Sequence, residues 1–269
     1  MMLPPAPRLA PRLYVKRIAL IPARLGATRF PRKLLAPLAG KTVIRRTFEA
    51  VRDTGLFDAV LVVTDSDEIR AEVEGAGGTA RMSVRPHESG TDRIAEVVEG
   101  IEADLVLNVQ GDEPFTYREP LEKLLAAFDG PAGDEVGVAS LMQELHDPAL
   151  VRDPNYVKVA VDAAGNALFF SRSPIPFVRD PAAPPTFWEH IGVYAFRRDA
   201  LLRFARLPAG PLERAEKVEC LRFLEHGIRM RMVPTEYMGV EIDTPEDLRR
   251  AERLLAGSNP WWRESCTRT

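Results

Sequence analysis

Between positions 24 and 33 the sequence reads RLGATRFPRK, which places Arg24, Arg29, Arg32 and Lys33 in one short loop. Guanidinium and ammonium groups packed this closely neutralise a polyanion. Gly26 and Thr28 add backbone freedom and a hydroxyl, so the run reads as a triphosphate cradle. Further on, PHESGTDR (86–93) sets small polar residues between His87 and Arg93. Ser89, Gly90 and Thr91 offer hydroxyls and backbone groups to a flat base edge, although a helix-capping loop has the same composition. In NVQGDEP (108–114) an apolar run ends in Gln110, Gly111 and two carboxylates. Gly111 allows a close backbone approach, and Asp112 is a hard oxygen ligand of the kind magnesium takes beside substrate phosphates. MGVEIDTPEDL (238–248) follows the same plan: a short strand ends at Asp243, and Thr244-Pro245 starts a helix. Asp243 and Thr244 could simply cap that helix. Taken with Asp112 and the basic loop, Asp243 completes a two-carboxylate metal site.

Two look-alikes carry less. Gly40-Lys41-Thr42 resembles the end of a phosphate-binding P-loop, but the required first glycine falls at Leu35. Asp65-Ser66-Asp67 resembles the acidic metal motif of many glycosyltransferases; Asp67 is expected instead to cap the helix that follows.

These loops need elements to hold them. Short apolar runs at 18–23, 59–64 and 104–109 predict buried strands, and residues 79–83 a further one. Apolar residues at helical spacing predict helices at 42–54, 67–76, 91–101 (capped by Thr91) and 118–128. Alternation of this kind predicts an α/β fold: three layers, with a mostly parallel sheet covered on both faces. Ligands in such sheets bind beyond the carboxyl ends of the strands, where the loops at 24–33, 64–67, 85–93 and 110–114 lie. From 136 to 196 the strands at 136–142, 156–162, 167–172 and 190–196 follow one another without helices. They predict an antiparallel insertion. Helices at 199–205, 212–226 and 245–255 and a strand at 228–234 complete the domain.

The chain has 269 residues, 45% hydrophobic, with a net charge of -3. That composition builds a core and argues against a nucleic-acid coat, so any anion site is local. Cys220 and Cys266 are too far apart to form a metal cluster by themselves and point to a reducing compartment. No run is long and apolar enough for a signal peptide or a membrane span. A cytoplasmic protein is expected, with residues 1–16 a mobile extension, 17–256 one domain, and 257–269 a tail carrying Trp261 and Trp262.

Taken in order, IPARLGATRFPRK, HESGTDR, NVQGDEP, FFSR, HIGVYAF and EIDTPEDL resemble the 3-deoxy-manno-octulosonate (Kdo) cytidylyltransferases, also called CMP-Kdo synthetases. The resemblance spans about residues 17–255. It implies a fold of the nucleotide-diphospho-sugar transferase type, a homodimer, and a role in making lipopolysaccharide precursors. The implied reaction joins CTP and Kdo with release of pyrophosphate, with Mg2+ as cofactor. By resemblance Arg24 and Lys33 hold phosphates and, with Asp112, form the catalytic set. Ala23, Ser89, Gly90, Arg93 and Gln110 complete the nucleotide site. Gln110, Arg172, His190, Tyr194 and Glu219 face the sugar acid, and Asp112 and Asp243 hold the metal. The sugar-strand valine of the pattern is kept as Val193. Two positions depart from it: Arg32 stands where a glycine precedes the lysine, and Cys220 stands where a glutamine often follows the helix glutamate. The alternatives are the same transfer to 8-amino-Kdo or a sialic acid, a metal-dependent glycosyltransferase using Asp65 and Asp67, and an inert nucleotide-binding module.

Overall fold

The computed structural model describes residues 15–26, 29–87, 89–183, 185–236 and 239–257. Thr28, Cys266, both tail tryptophans and nearly all of the expected N-terminal extension lie outside them.

Nine strands form one sheet among the described residues. They are β1 (Arg17–Ala23), β2 (Ala59–Thr64), β3 (Thr79–Met82), β4 (Leu105–Val109), β5 (Val138–Leu145), β6 (Lys158–Val161), β7 (Ala167–Ser171), β8 (Phe187–Arg197) and β9 (Met230–Thr235). The main path runs β9-β5-β8-β4-β1-β2-β3. Pairing is parallel for β1 with β2 and β4, for β2 with β3, and for β5 with β9. Only β8 runs against its neighbours β4 and β5 in that path.

The expected antiparallel insertion is therefore redistributed. Its first and last strands, β5 and β8, are interior strands of the central sheet. The β6–β7 ribbon alone stands off the main path, attached through Trp188↔Val159 and Glu189↔Lys158. The apolar surface of β5 and β8 explains this: Val138, Ala139, Leu141, Val193, Ala195 and Phe196 are all buried. A strand apolar on both faces needs cover on both.

Successive residues of a strand point to opposite faces, so β1 feeds two cores at once. Ala19, Ile21 and Ala23 pack with α1 (Val43–Asp53), α2 (Asp67–Gly75) and α4 (Arg118–Ala126). Ile18 and Leu20 pack on the other face with α3 (Gly90–Val98), α5 (Arg198–Phe204) and α7 (Leu221–Glu225). Further helices include α6 (Pro211–Glu216) and α8 (Pro245–Ala256). Three layers result, as the sequence predicts.

Three local expectations change. Ser66, not Asp67, caps α2, accepting from the Ile69 N–H at 3.3 Å. Ser89, not Thr91, caps α3, and Thr91 is buried inside the first turn. In both cases the cap sits one or two residues ahead of the expected one, where the chain is still extended and the hydroxyl can reach the N3 amide. The single helix expected at 212–226 is two, α6 and α7, because Lys217 adopts a left-handed conformation at φ 54°.

Candidate active site

The carboxyl ends of the parallel strands coincide. Ala23 of β1 is in register with Thr64 of β2, whose carbonyl accepts the Ser83 N–H at 2.8 Å. At this edge a cavity of about 290 Å³ is lined by Ala23, Arg24, Lys33, Ser89, Gly90, Arg93, Gln110, Asp112 and Asp243. Every residue expected to bind nucleotide or metal thus meets at one place. Four separate loops deliver them, so the convergence is a product of the fold and not of sequence proximity.

The loop after β1 ends in a short 3-10 turn, Lys33–Leu35, preceded by Arg32 at φ 60°. That left-handed geometry favours glycine, which explains why Arg32 is a departure from the family pattern. Its side chain turns away from the cavity and grips Glu68 in a fork, at 2.5 and 3.0 Å. The turn aims Lys33 inward. Its ammonium stands 2.5 Å from Asp112 and 2.6 Å from Asp243, with the Lys33 and Asp112 side chains each only 14% exposed. Burial alone lowers its pKa; the two carboxylates outweigh burial and raise it, so the charge persists. Arg29 reaches the other oxygen of Asp243 at 2.6 Å.

The two aspartates are held together by backbone. Ile242 N–H donates to the Asp112 carbonyl at 3.0 Å, bringing the end of the 239–243 segment beside the end of β4. Gly111 is needed here because a Cβ would stand 3.0 Å from the Pro22 carbonyl. Asp243 does not cap α8. Thr244 does, in a reciprocal capping box with Asp247, which leaves Asp243 free for the cleft. A third carboxylate joins them: oxygens of Asp112, Glu241 and Asp243 lie within 4.8 Å of one another. Sequence reading passed over Glu241, although its two-residue spacing from Asp243 in extended chain puts both on one side. Beneath them Glu113 is buried, and burial followed by the charge of Asp112 pushes its pKa up to about 8.

The sugar-side expectations divide. His190 lines a second, larger cavity of about 960 Å³, which shares Arg29 and Asp243 with the first. Its Nε2 lies 3.0 Å from Ser140 Oγ, and burial drops its pKa to about 4, so it is neutral. Cys220 is buried, its sulfur 3.1 Å from the Tyr194 hydroxyl and 3.6 Å from His190 Nε2. Cys220 and Tyr194 therefore support His190 from behind. Glu219 lines neither cavity; it accepts the Thr91 hydroxyl. Arg172 borders neither cavity: its guanidinium is spent on the carbonyls of Pro154, Glu216 and Lys217. Glu189, just ahead of the HIGVYAF motif, lines the large cavity, and burial pushes its pKa up to about 7. Asp65 pairs with Arg93 at 2.9 Å and Asp67 with Arg70 at 2.9 Å; the two do not share a site.

A cleft that joins cations to clustered carboxylates at the ends of parallel strands fits a nucleotidyl transferase, and comparison with known proteins decides its kind. The family model of the cytidylyltransferases matches residues 18–232. The chain belongs to the cytidylyltransferase family. A 3-deoxy-manno-octulosonate cytidylyltransferase of Flavobacterium johnsoniae is 52% identical over 90% of this chain and 99% of its own. One of Christiangramia forsetii is 51% identical over 89% of this chain and 96% of its own. A solved CMP:2-keto-3-deoxy-manno-octonic acid synthetase complexed with CTP superposes with a TM-score of 0.83 at 38% identity, covering 90% of this chain and 98% of that one. The 4-diphosphocytidyl-2C-methyl-D-erythritol synthase of Anaerococcus prevotii, 18% identical with a TM-score of 0.60, shares the fold. Among cytidylyltransferases, then, this one matches enzymes named for Kdo over nearly their whole length. Its basic loop, the loop carrying Ser89 and Gly90, and both aspartates all lie at the carboxyl edge of the sheet.

Proposed function

We propose that the chain transfers CMP from CTP to the anomeric hydroxyl of Kdo, giving CMP-Kdo and pyrophosphate, and so supplies lipopolysaccharide synthesis in the cytoplasm. The observation that carries this is the convergence of the seven expected nucleotide contacts on one cavity that opens, at Asp243 and Arg29, into a larger one. CTP occupies the smaller cavity, with its base beside Ser89 and Gly90 and its phosphates beside Arg24, Arg29 and Lys33. The sugar acid enters from the larger cavity past His190.

The anomeric oxygen attacks the α-phosphorus, the bond from that phosphorus to the bridging oxygen of the β-phosphate breaks, and the hydroxyl proton leaves to water. The protein contributes positioning and charge. Arg24, Arg29 and Lys33 neutralise the triphosphate and the charge that grows on the departing pyrophosphate. Neutral His190, fixed by Ser140, orients a sugar hydroxyl without adding charge. Asp112 and Asp243, joined by Glu241, would hold magnesium. The fit is good, because hard carboxylate oxygens cluster there and an ammonium already bridges two of them. Bound there, magnesium supplies neutralisation of phosphate charge and a lower pKa for the attacking hydroxyl.

A homodimer is part of the same proposal. Leu168 on β7 and Phe177 in the loop before β8 are 61% and 84% exposed, on a segment that needs cover. Light scattering at micromolar concentration tests it, and a monomer mass refutes it. The activity is tested by pyrophosphate release with each NTP crossed against Kdo, 8-amino-Kdo and sialic acid. CTP with Kdo is expected to turn over fastest. Preference for another acidic sugar changes the substrate, while release with no sugar acid overturns the reading.

A further inference from the structure

An irregularity in one strand sets the chemistry of a residue in the large cavity. The pairing of β8 with β5 shifts register between Ile191, opposite Leu141, and Tyr194, opposite Ser140. Bulges of this kind re-aim groups beside active sites. Here two carbonyls face one hydroxyl: Ser140 Oγ stands 3.0 Å from the Ile191 oxygen and 2.9 Å from the Val193 oxygen, and Ser140 is fully buried. A carbonyl oxygen only accepts, so the single Ser140 proton belongs on that side. Turning it away would set lone pairs against two carbonyl oxygens in a site closed to solvent.

The third neighbour of Ser140 Oγ is His190 Nε2, at 3.0 Å. With the serine proton committed, Nε2 must be the donor, and the neutral ring has no proton left for Nδ1. Cys220 Sγ, 3.6 Å from Nε2, faces the same N–H as a weak acceptor. Phe170, edge-on at 5.1 Å, and Tyr194, at 5.4 Å, hold the ring in this setting. Among the described residues nothing bonds Nδ1, and the one sealed side-chain polar atom without a partner is Arg17 Nε. Nδ1 is therefore open to the cavity of about 960 Å³ that His190 lines.

We propose that Ser140 is the positioning residue that fixes His190 as the Nε2–H tautomer, so that Nδ1 meets the sugar acid as a bare lone pair that takes a hydroxyl and turns away a carboxylate. The inference rests on the reading that the sugar acid enters the large cavity past His190. A hydroxyl donates to Nδ1, whereas an ionised carboxylate has no proton to offer and would set two acceptors face to face. The carboxylate is left to Arg29, a cation that lines both cavities, so the tautomer orients the acid end of the sugar toward their seam.

Nitrogen NMR of the protein labelled at its four histidines tests the assignment without relying on a Ser140 variant, the His190 signals being those lost in His190→Ala. In wild type Nε2 is expected to be protonated and Nδ1 bare; the opposite tautomer overturns the proposal. Ser140→Ala removes the acceptor of the Nε2 proton and leaves Cys220, kept a thiol by burial and able to donate, as the neighbour of Nε2. The Nδ1–H form is expected to appear, with the KM for Kdo raised about ten-fold or more and the KM for CTP within about three-fold of wild type. Ser140→Thr, which keeps the hydroxyl, is expected to restore both the tautomer and the KM for Kdo. An unchanged tautomer in Ser140→Ala, or an equal rise in both KM values, overturns the proposal, because a merely structural role acts on both substrates alike. His190→Ala separates this from the reading beneath it. A rise of about ten-fold or more in the KM for Kdo upholds the sugar site, whatever Ser140 does. A KM for Kdo unchanged from wild type means that the sugar lies elsewhere, and both fall together.

Discussion

Lys33→Met gives a test in which activity and stability should move in opposite senses once magnesium is added. The side chain keeps its length and loses its charge. In the wild-type protein that charge sits 2.5 Å from Asp112 and 2.6 Å from Asp243, in a setting where neither the lysine nor Asp112 is more than 14% exposed. Opposite charges at such sites attract by about 4 kcal/mol at 4 Å and an effective dielectric of 20, before desolvation is subtracted. Removing one member of a buried pair and stranding the other costs about 3–5 kcal/mol. Asp243 keeps Arg29, so the lower end applies: about 3 kcal/mol without metal, or ~6–12 °C in unfolding temperature for a domain this size. Magnesium then restores more stability to the variant than to wild type, because it no longer competes with an ammonium for the same oxygens. Turnover does not return. The lost phosphate contact is worth about 2–4 kcal/mol at the transition state, a fall of roughly 30- to 1,000-fold in kcat/KM for CTP. Differential scanning fluorimetry with and without magnesium, beside pyrophosphate release, reads both. A magnesium-induced shift no larger than that of wild type, or turnover within five-fold of it, would refute the idea that Lys33 serves as a placeholder cation and a phosphate ligand.

The other expectations are more compact. Asp112→Asn and Asp243→Asn should each cut turnover by about 100-fold or more with the fold intact by circular dichroism, whereas Asp65→Asn should change kcat/KM by no more than about five-fold, since its pair with Arg93 is half exposed; the reverse pattern would support a glycosyltransferase-type metal site. Arg32→Gly should leave the KM for CTP unchanged and the urea midpoint close to that of wild type, because relief of the left-handed strain offsets the exposed Glu68 pair and the greater freedom of the unfolded chain. A raised KM would mean that Arg32 does reach phosphate. Glu189, with its pKa raised to about 7, holds its proton in the folded state over a range where the unfolded chain has lost it, so its contribution to stability is present below about pH 4.5 and is lost as pH rises through 7. Glu189→Gln should therefore stabilise the protein in urea titrations at pH 8 and be near neutral at pH 4.5. Equal effects at both values would remove burial as the cause.

The sequence displayed the parts of this fold whose signal is local. AVLVVT is apolar at every position and became a strand with the expected limits, because a strand covered on both faces needs no partner to be recognised. Partnership itself was hidden. Nothing in HIGVYAF says that it lies between β4 and β5, since pairing is decided by surfaces distant in the chain. The helix break at Lys217 was likewise invisible, because no glycine or proline marks it. The site divides along the same line. Charged motifs at strand ends read correctly as cleft residues, while Arg172 could not be placed from its type: its partners are backbone carbonyls, which every residue carries.

That contrast also explains why one charged cleft needs such different supports. Lys33 and the aspartates act through net charge, which extends over several ångströms and tolerates small errors of position. A basic loop on a short turn is enough to deliver it. Distinguishing a donor from an acceptor depends on where a single proton lies, a property that inverts with one rotation of a hydroxyl. Such a distinction must be fixed by neighbours that can only donate or only accept. Behind Ser89, buried Arg222 pairs with both Asp92 and Glu213. The sequence signature of that difference is faint, because VECLRF and PLERAEK look like ordinary amphipathic helix until the fold sets them behind Ser89.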